Sequence, residues 1–110
     1  MELPIVHDAE GCRFVCTVDA EESSVEYEVN GAHPPLVDVV RTFVPASLRG
    51  KGIAAELLRR FSEHARESAW TVKPSCSYAL HYYRRNRQYA SLVPQDLLPG
   101  EGGSCRLGKR

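Results

Sequence analysis

Two stretches carry residues whose types and spacing could do chemistry: RGKGIA at residues 49–54 and PSCSYALHYY at residues 74–83. In the first, two glycines and two cations fill four positions just ahead of an amphipathic run. The first backbone N–H groups of a helix have no internal partners and the helix dipole favours negative charge, so a glycine-bearing loop leading into a helix is an anion site. Gly50 and Gly52 let a phosphate approach the backbone and permit positive φ, while Arg49 and Lys51 add full charges. The spacing is neither the G-x-x-x-x-G-K-[ST] of a nucleotide-cradling loop nor the G-x-G-x-x-G of dinucleotide folds, so a generic ATP or NAD site is disfavoured. A glycine-rich helix start that only turns the chain has the same composition.

In the second stretch Cys76 falls at a strand-to-helix junction, where a helix N-terminus and nearby arginines favour a thiolate nucleophile. The plainer reading is a small, half-buried residue lining a channel, and it has the greater weight. Cys12, Cys16, Cys76 and Cys105 lack paired C-x-x-C spacing and are too sparse for a disulfide framework, so reduced thiols and no metal are expected. Cys12 and Cys16 would share one face of a strand. His7, His33, His64 and His81 are available as bases, and no motif singles one out. Glu26 and Glu28 could act through water or draw in a cation, although outward strand charges are usually just solvated.

These residues need elements to hold them. RFVCTV, residues 13–18, alternates with Phe14, Cys16 and Val18 on one side, as a half-buried strand does. After the acidic turn DAEESS, VEYEV repeats the alternation with Val25, Tyr27 and Val29 inward, and Asn30-Gly31 closes it. Pro34-Pro35 precedes LVDVVRTFV, a valine-rich run suited to a central strand covered on both faces, and Pro45 ends it. Ile53, Ala54, Leu57, Leu58, Phe61 and Ala65 then form a helical stripe, which predicts a helix of about 16 to 19 residues. AWTV, residues 69–72, reads as a short strand, and a second helix runs from about Ser77 to Tyr89 with Ser75 or Ser77 as its cap. Tyr78, Ala79, Tyr82, Tyr83 and Asn86 share its broad face. The order is strands, helix, strand, helix: an α/β arrangement with a mostly antiparallel sheet and a parallel strand-helix-strand crossover. Residues 1–98 form one domain and 99–110 a loose, glycine-rich tail.

R-x-x-G-x-A between a strand and an amphipathic helix resembles the GCN5-related N-acetyltransferase family, whose signature Q/R-x-x-G-x-G/A is matched by Arg49, Gly52 and Ala54. That family often carries N-x-x-A-x-x-x-Y at its next strand-helix junction, and here Ala79 and Tyr83 fall on the alanine and tyrosine while Cys76 replaces the asparagine. The 22 residues from Ala54 to Cys76 suit one helix and one strand. V-P-x-x-x-R-G-K-G-I-A and P-x-C-S-Y further resemble a compact, single-domain subgroup. The resemblance covers about residues 4–93 and implies an acetyl-CoA-dependent N-acetyltransferase acting on an amine acceptor. It implies pyrophosphate contacts along Arg49, Gly50, Lys51, Gly52, Ile53 and Ala54, and backbone contacts to pantetheine and carbonyl from Phe43 and Val44. It makes Tyr83 the acid that protonates the leaving thiolate and places Cys76 in the cofactor channel. Arg84, Arg85 or Arg87 could reach the CoA phosphates, or simply complement the helix dipole. Larger members carry two helices between their first two strands, for which Ile5 and Phe14 leave no room, so the acceptor side is more open or completed by another surface.

Other classes are weaker. The chain has no net charge, yet residues 1–40 hold one Arg or Lys against nine Asp or Glu, and residues 41–110 hold thirteen against five, giving −8 and +8. LRGKG and YYRRNRQY mix arginines with aromatics that could stack on bases, but no RNA-module motif is present, so nucleic acid is not the expected partner. A CoA-binding module without turnover is the other alternative. No apolar run is long enough to span a membrane and MELPIVHDAE is no leader, which points to an intracellular, cytoplasmic protein with the nucleus still open. The acceptor's identity lies in pocket shape that no motif encodes.

Overall fold

The computed structural model describes residues 3–31 and 35–94. Strands β1 (Ile5–Asp8), β2 (Arg13–Val18), β3 (Glu21–Asn30) and β4 (Leu36–Phe43) pair in chain order as an antiparallel meander. Helix α1 (Ile53–Glu67) carries the chain to β5 (Thr71–Pro74), which pairs with β4 in parallel, and α2 (Ser77–Arg85) follows. The fold is thus the mixed, mostly antiparallel α/β sheet with a strand-helix-strand-helix second half. Residues 9–12 alone connect β1 to β2, with no helix between them.

Local chemistry explains where the elements stop. Asp19 and Ala20 have φ of 53° and 64°, the positive pair that a tight two-residue hairpin demands. The turn expected over residues 19–24 therefore shrinks to two residues, and β3 already begins at Glu21. Helix α1 has 15 residues, slightly fewer than expected, and Ala69 at φ 59° redirects the chain so that Trp70 precedes the last strand instead of lying in it. The second helix ends at Arg85, short of Tyr89, because Asn86 takes over its C-terminus: its backbone N–H and its Nδ2 both donate to the Tyr82 carbonyl. A 3-10 segment, Arg87–Leu92, then buries Tyr89 and Leu92. Cys76, rather than either serine, occupies the α2 N-cap position. Cys12 sits in the β1–β2 turn with φ 56°, so it does not extend the strand face of Cys16.

One hydrophobic cluster joins the sheet to the helices: Phe14, Cys16, Val25, Tyr27, Val37, Val39 and Val72 meet Leu57, Leu58, Phe61, Ala65, Ala79 and Tyr83. The inward residues of β2 and β3 are largely those expected, except that Val29 runs past the core and is 48% exposed. Strand β4 departs from expectation in being covered on one face only, with Val40 and Phe43 exposed. Its register explains how. Tyr27 pairs with Val39 while Val25 pairs with Thr42, so the strand bulges by one residue at Val40. Simple alternation from Val37 and Val39 would turn Arg41 toward the core. The bulge turns Thr42 inward and leaves Arg41 and Phe43 together outside, the guanidinium 5.6 Å from the ring centroid.

Among the described residues no helix is long and apolar enough to cross a membrane, and no group of three His, Cys, Asp or Glu side chains could hold a metal. His33, Cys105, the boundary at residue 98 and the tail over 99–110 lie outside the described residues.

Candidate functional site

Strands β4 and β5 pair only from Leu36↔Thr71 to Val39↔Pro74. Beyond that point β4 continues against β3 alone, and the chain after β5 turns away into α2. The N–H of Cys76 closes the last rung by donating to the Val39 carbonyl at 2.9 Å. The two parallel strands therefore part, and the half of β4 from Val40 to Phe43 has an edge that no described strand pairs.

Past this opening the chain makes a 3-10 turn, Ala46–Leu48, and enters the glycine loop. Gly50 has φ 83° and Gly52 φ 78°, and a Cβ on either would meet nothing within 4 Å. Glycine is thus required for conformation, and the space beside the backbone is open to a ligand. Gly52 is the N-cap of α1 and supplies no capping side chain; the first helical bond is Glu56 N–H to the Gly52 carbonyl. The N–H groups of the first turn, beginning with Ile53 and Ala54, are accordingly left without helical partners.

A cleft of about 460 Å³ lies between these features. Its walls are Thr42, Phe43 and Val44 at the end of β4, Leu48, the loop residues Arg49, Gly50, Gly52, Ile53 and Ala54, and Tyr78 from the first turn of α2. Arg49 braces one wall, its Nε donating to the Val44 carbonyl at 3.0 Å. The expected contact residues Phe43, Val44, Arg49, Gly50, Gly52, Ile53 and Ala54 are therefore brought together. Lys51 is exposed beside them and Arg84 is exposed on α2; neither lines the cleft. Cys76 is half-buried one layer behind it, with its Sγ donating to Thr42 Oγ1 at 3.4 Å.

Tyr83 lies elsewhere. Its side chain is fully buried, its hydroxyl shares a 2.7 Å hydrogen bond with Ser62 of α1, and burial pushes its pKa well above the usual tyrosine value. The tyrosine on the cleft wall is Tyr78, 43% exposed. The sequence places Tyr78 beside Ala79 on the helical stripe, and only the turn of α2 against β5 shows that it faces out. Thr42 was equally hidden, because no spacing rule reveals a bulge.

A second cleft of about 390 Å³ adjoins the first across Gly52 and Tyr78 and runs between α1 and α2 past Arg59, His81 and Arg85. Arg59 there chelates Glu56, which holds that carboxyl below its usual range. Tyr82 also faces this cleft, and burial pushes its pKa up to about 12. The rings of YYRRNRQY serve the core, since Tyr82, Tyr83 and Tyr89 are each at most 8% exposed. They are not a platform on which bases could stack.

Comparison with known proteins follows the same outline. The family model for the GCN5-related N-acetyl-transferase matches residues 13–92. Among solved structures, the solution NMR structure of a GCN5-like protein from Staphylococcus aureus superposes with a TM-score of 0.67 at 24% identity, covering 84% of this chain and 88% of that one. The family match spans both the parting strands and the loop.

Proposed function

The chain belongs to the GCN5-related N-acetyltransferase family, and from that premise we propose that it moves the acetyl group of acetyl-CoA to an amine by direct attack on the thioester. The observation that carries this reading is the cleft itself. An uncapped helix start with two left-handed glycines faces the unpaired half of β4 across it.

The division of labour follows from charge and donors. The free N–H groups from Gly52 to Ala54, with Arg49 and Lys51 alongside, suit a pyrophosphate. The open edge of β4 at Phe43 and Val44 suits the amide-bearing pantetheine arm and the thioester carbonyl, where a backbone donor would meet the charge that develops during attack. The neutral amine bonds to the carbonyl carbon, the C–S bond breaks, and the products are an amide and the CoA thiol. One proton leaves the attacking nitrogen and one reaches the departing sulfur. Tyr83 is fully buried against Ser62, away from the cleft wall, whereas Tyr78 already stands on it. Arg84 and Arg85 on α2 could meet the far phosphate, and Arg85 lines the second cleft.

Thermal melting with rising acetyl-CoA, paired with a screen of amines for thiol release, tests the proposal. A rise in Tm that tracks ligand concentration, with thiol release by at least one amine, is expected. Stabilisation without release from any amine would leave a CoA-binding module. No shift with acetyl-CoA but a salt-sensitive shift with RNA would replace the reading altogether.

A further inference from the structure

We propose that the hydroxyl of Thr42, oriented by the thiol of Cys76, is a side-chain donor to the thioester carbonyl, and that Cys76 is a positioning residue and not the nucleophile. The proposal rests on the acetyl-CoA reading above.

Thr42 carries the only hydroxyl of β4, and it reaches the cleft wall solely because the strand bulges at Val40. With regular alternation the same position would face the outer side of the sheet. It lies just beyond the last β4–β5 rung, where the strands part and the thioester must sit if the pantetheine arm follows the open edge. Cys76, the N-cap of α2 just past β5, spans the gap: its N–H is tied to the Val39 carbonyl and its Sγ–H is directed at Thr42 Oγ1. A hydroxyl oxygen that accepts one bond still has its own proton to give. Thr42 donates no hydrogen bond to any described residue, so that proton is left for an acceptor in the cleft. The carbonyl oxygen gains negative charge as the amine attacks, and a neutral, pre-aimed O–H beside backbone N–H groups stabilises it without reorganisation.

The direction of the bond separates the two roles of Cys76. A thiolate poised for attack would accept the proton of Thr42, turning that hydroxyl away from the cleft. A protonated thiol that donates to Thr42 turns it toward the cleft.

The test uses the full chain with acetyl-CoA labelled with 13C at the carbonyl, read by isotope-edited infrared spectroscopy and by binding of acetyl-CoA and CoA. The bound carbonyl band should fall in frequency relative to free ligand. Thr42→Val should reverse part of that fall and weaken acetyl-CoA by about three- to tenfold, with CoA unchanged. Thr42→Ser and Cys76→Ser should keep the band, Cys76→Ala should broaden it, and Thr17→Val on the exposed side of β2 should leave it as it is. A wild-type band in Thr42→Val, or a band lost in Tyr78→Phe instead, overturns the assignment while leaving acetyl-CoA binding intact. An acetyl group on Cys76 by intact mass, with activity lost in Cys76→Ser, overturns it in favour of the covalent route. Absence of acetyl-CoA binding to the wild-type chain removes the underlying reading together with this one.

Discussion

At one end of the sheet His7, Phe14, Tyr27, Phe61, His64 and Trp70 close ring against ring; at the other, β4 and β5 part and the start of α1 is left uncapped. The same strands and the same helix run through both ends. At the closed end, His7 stacks on Phe14 at 4.1 Å, Phe61 meets Phe14 edge-on at 5.9 Å, and His7 Nε2 lies 2.6 Å from the Tyr27 hydroxyl. The His7 ring and the Tyr27 hydroxyl there satisfy each other within the chain. At the open end donors point into a cleft and glycines hold left-handed conformations that no contact rewards. A domain of this size can leave one end unsatisfied because the other end is tightly closed, and the unsatisfied end is where a ligand gains most.

The largest expected effect breaks the closed end. Phe61→Ala removes a fully buried ring from the centre of the cluster and should lower stability by about 3–5 kcal/mol, measured by urea unfolding. Its acetyl-CoA affinity at temperatures where it remains folded should stay near wild type, because Phe61 lines neither cleft. Equal losses in both properties would show that the two ends are not separable. Next comes the joint between the helices. Ser62→Ala leaves the buried Tyr83 hydroxyl without its partner, a loss of about 1–3 kcal/mol, and adding Tyr83→Phe should recover part of it. If the double variant is no more stable than Ser62→Ala alone, Tyr83 is not held mainly by that bond. At the open end Gly52→Val forces a branched side chain into φ 78°, a loss of about 1–2 kcal/mol, yet it should weaken acetyl-CoA by at least about tenfold as it covers the free N–H groups. Calorimetric titration that found unchanged affinity would move the phosphate site away from the loop.

The two ends also differ in how much of them the sequence reveals. The loop is legible because each glycine and cation in RGKGIA acts locally: the requirement for φ above zero is a property of single residues. The helical stripe from Ile53 to Ala65 is legible for the same reason, since periodicity is set by near neighbours. Thr42 is not, because a bulge is decided by how β4 registers against β3, twelve to seventeen residues away in the chain. Nor is the ring cluster, in which His7 meets His64 and Trp70 meets Tyr27 only after the sheet and α1 have packed. Tyr83 shows the limit of a motif. Its spacing from Cys76 is local, but whether its hydroxyl turns to the cleft or to Ser62 is settled by the neighbouring helix.

The smallest expected effect sharpens the contrast through pH. Burial, with the nearby His64 ring adding to it, holds the pKa of His7 below its ordinary 6.5, and Asp8 opposes this only in part. The folded chain thus binds fewer protons at His7 than the unfolded chain once the pH falls to that ordinary value. Stability from this source is complete above about pH 6.5, declines as the pH falls toward the lowered folded value, and levels off below it. Asp8 and Glu56, whose carboxyls are held below their usual range, respond only at lower pH, so the windows are distinct. Urea midpoints between pH 7 and pH 5 should decline in the wild type and decline less in His7→Gln, which cannot take up the proton. Identical slopes in the two proteins would mean that the closed end tolerates a charged His7. Affinity for CoA over the same interval should be the same in His7→Gln as in the wild type, since His7 and His64 line neither cleft and lie at the opposite end of α1.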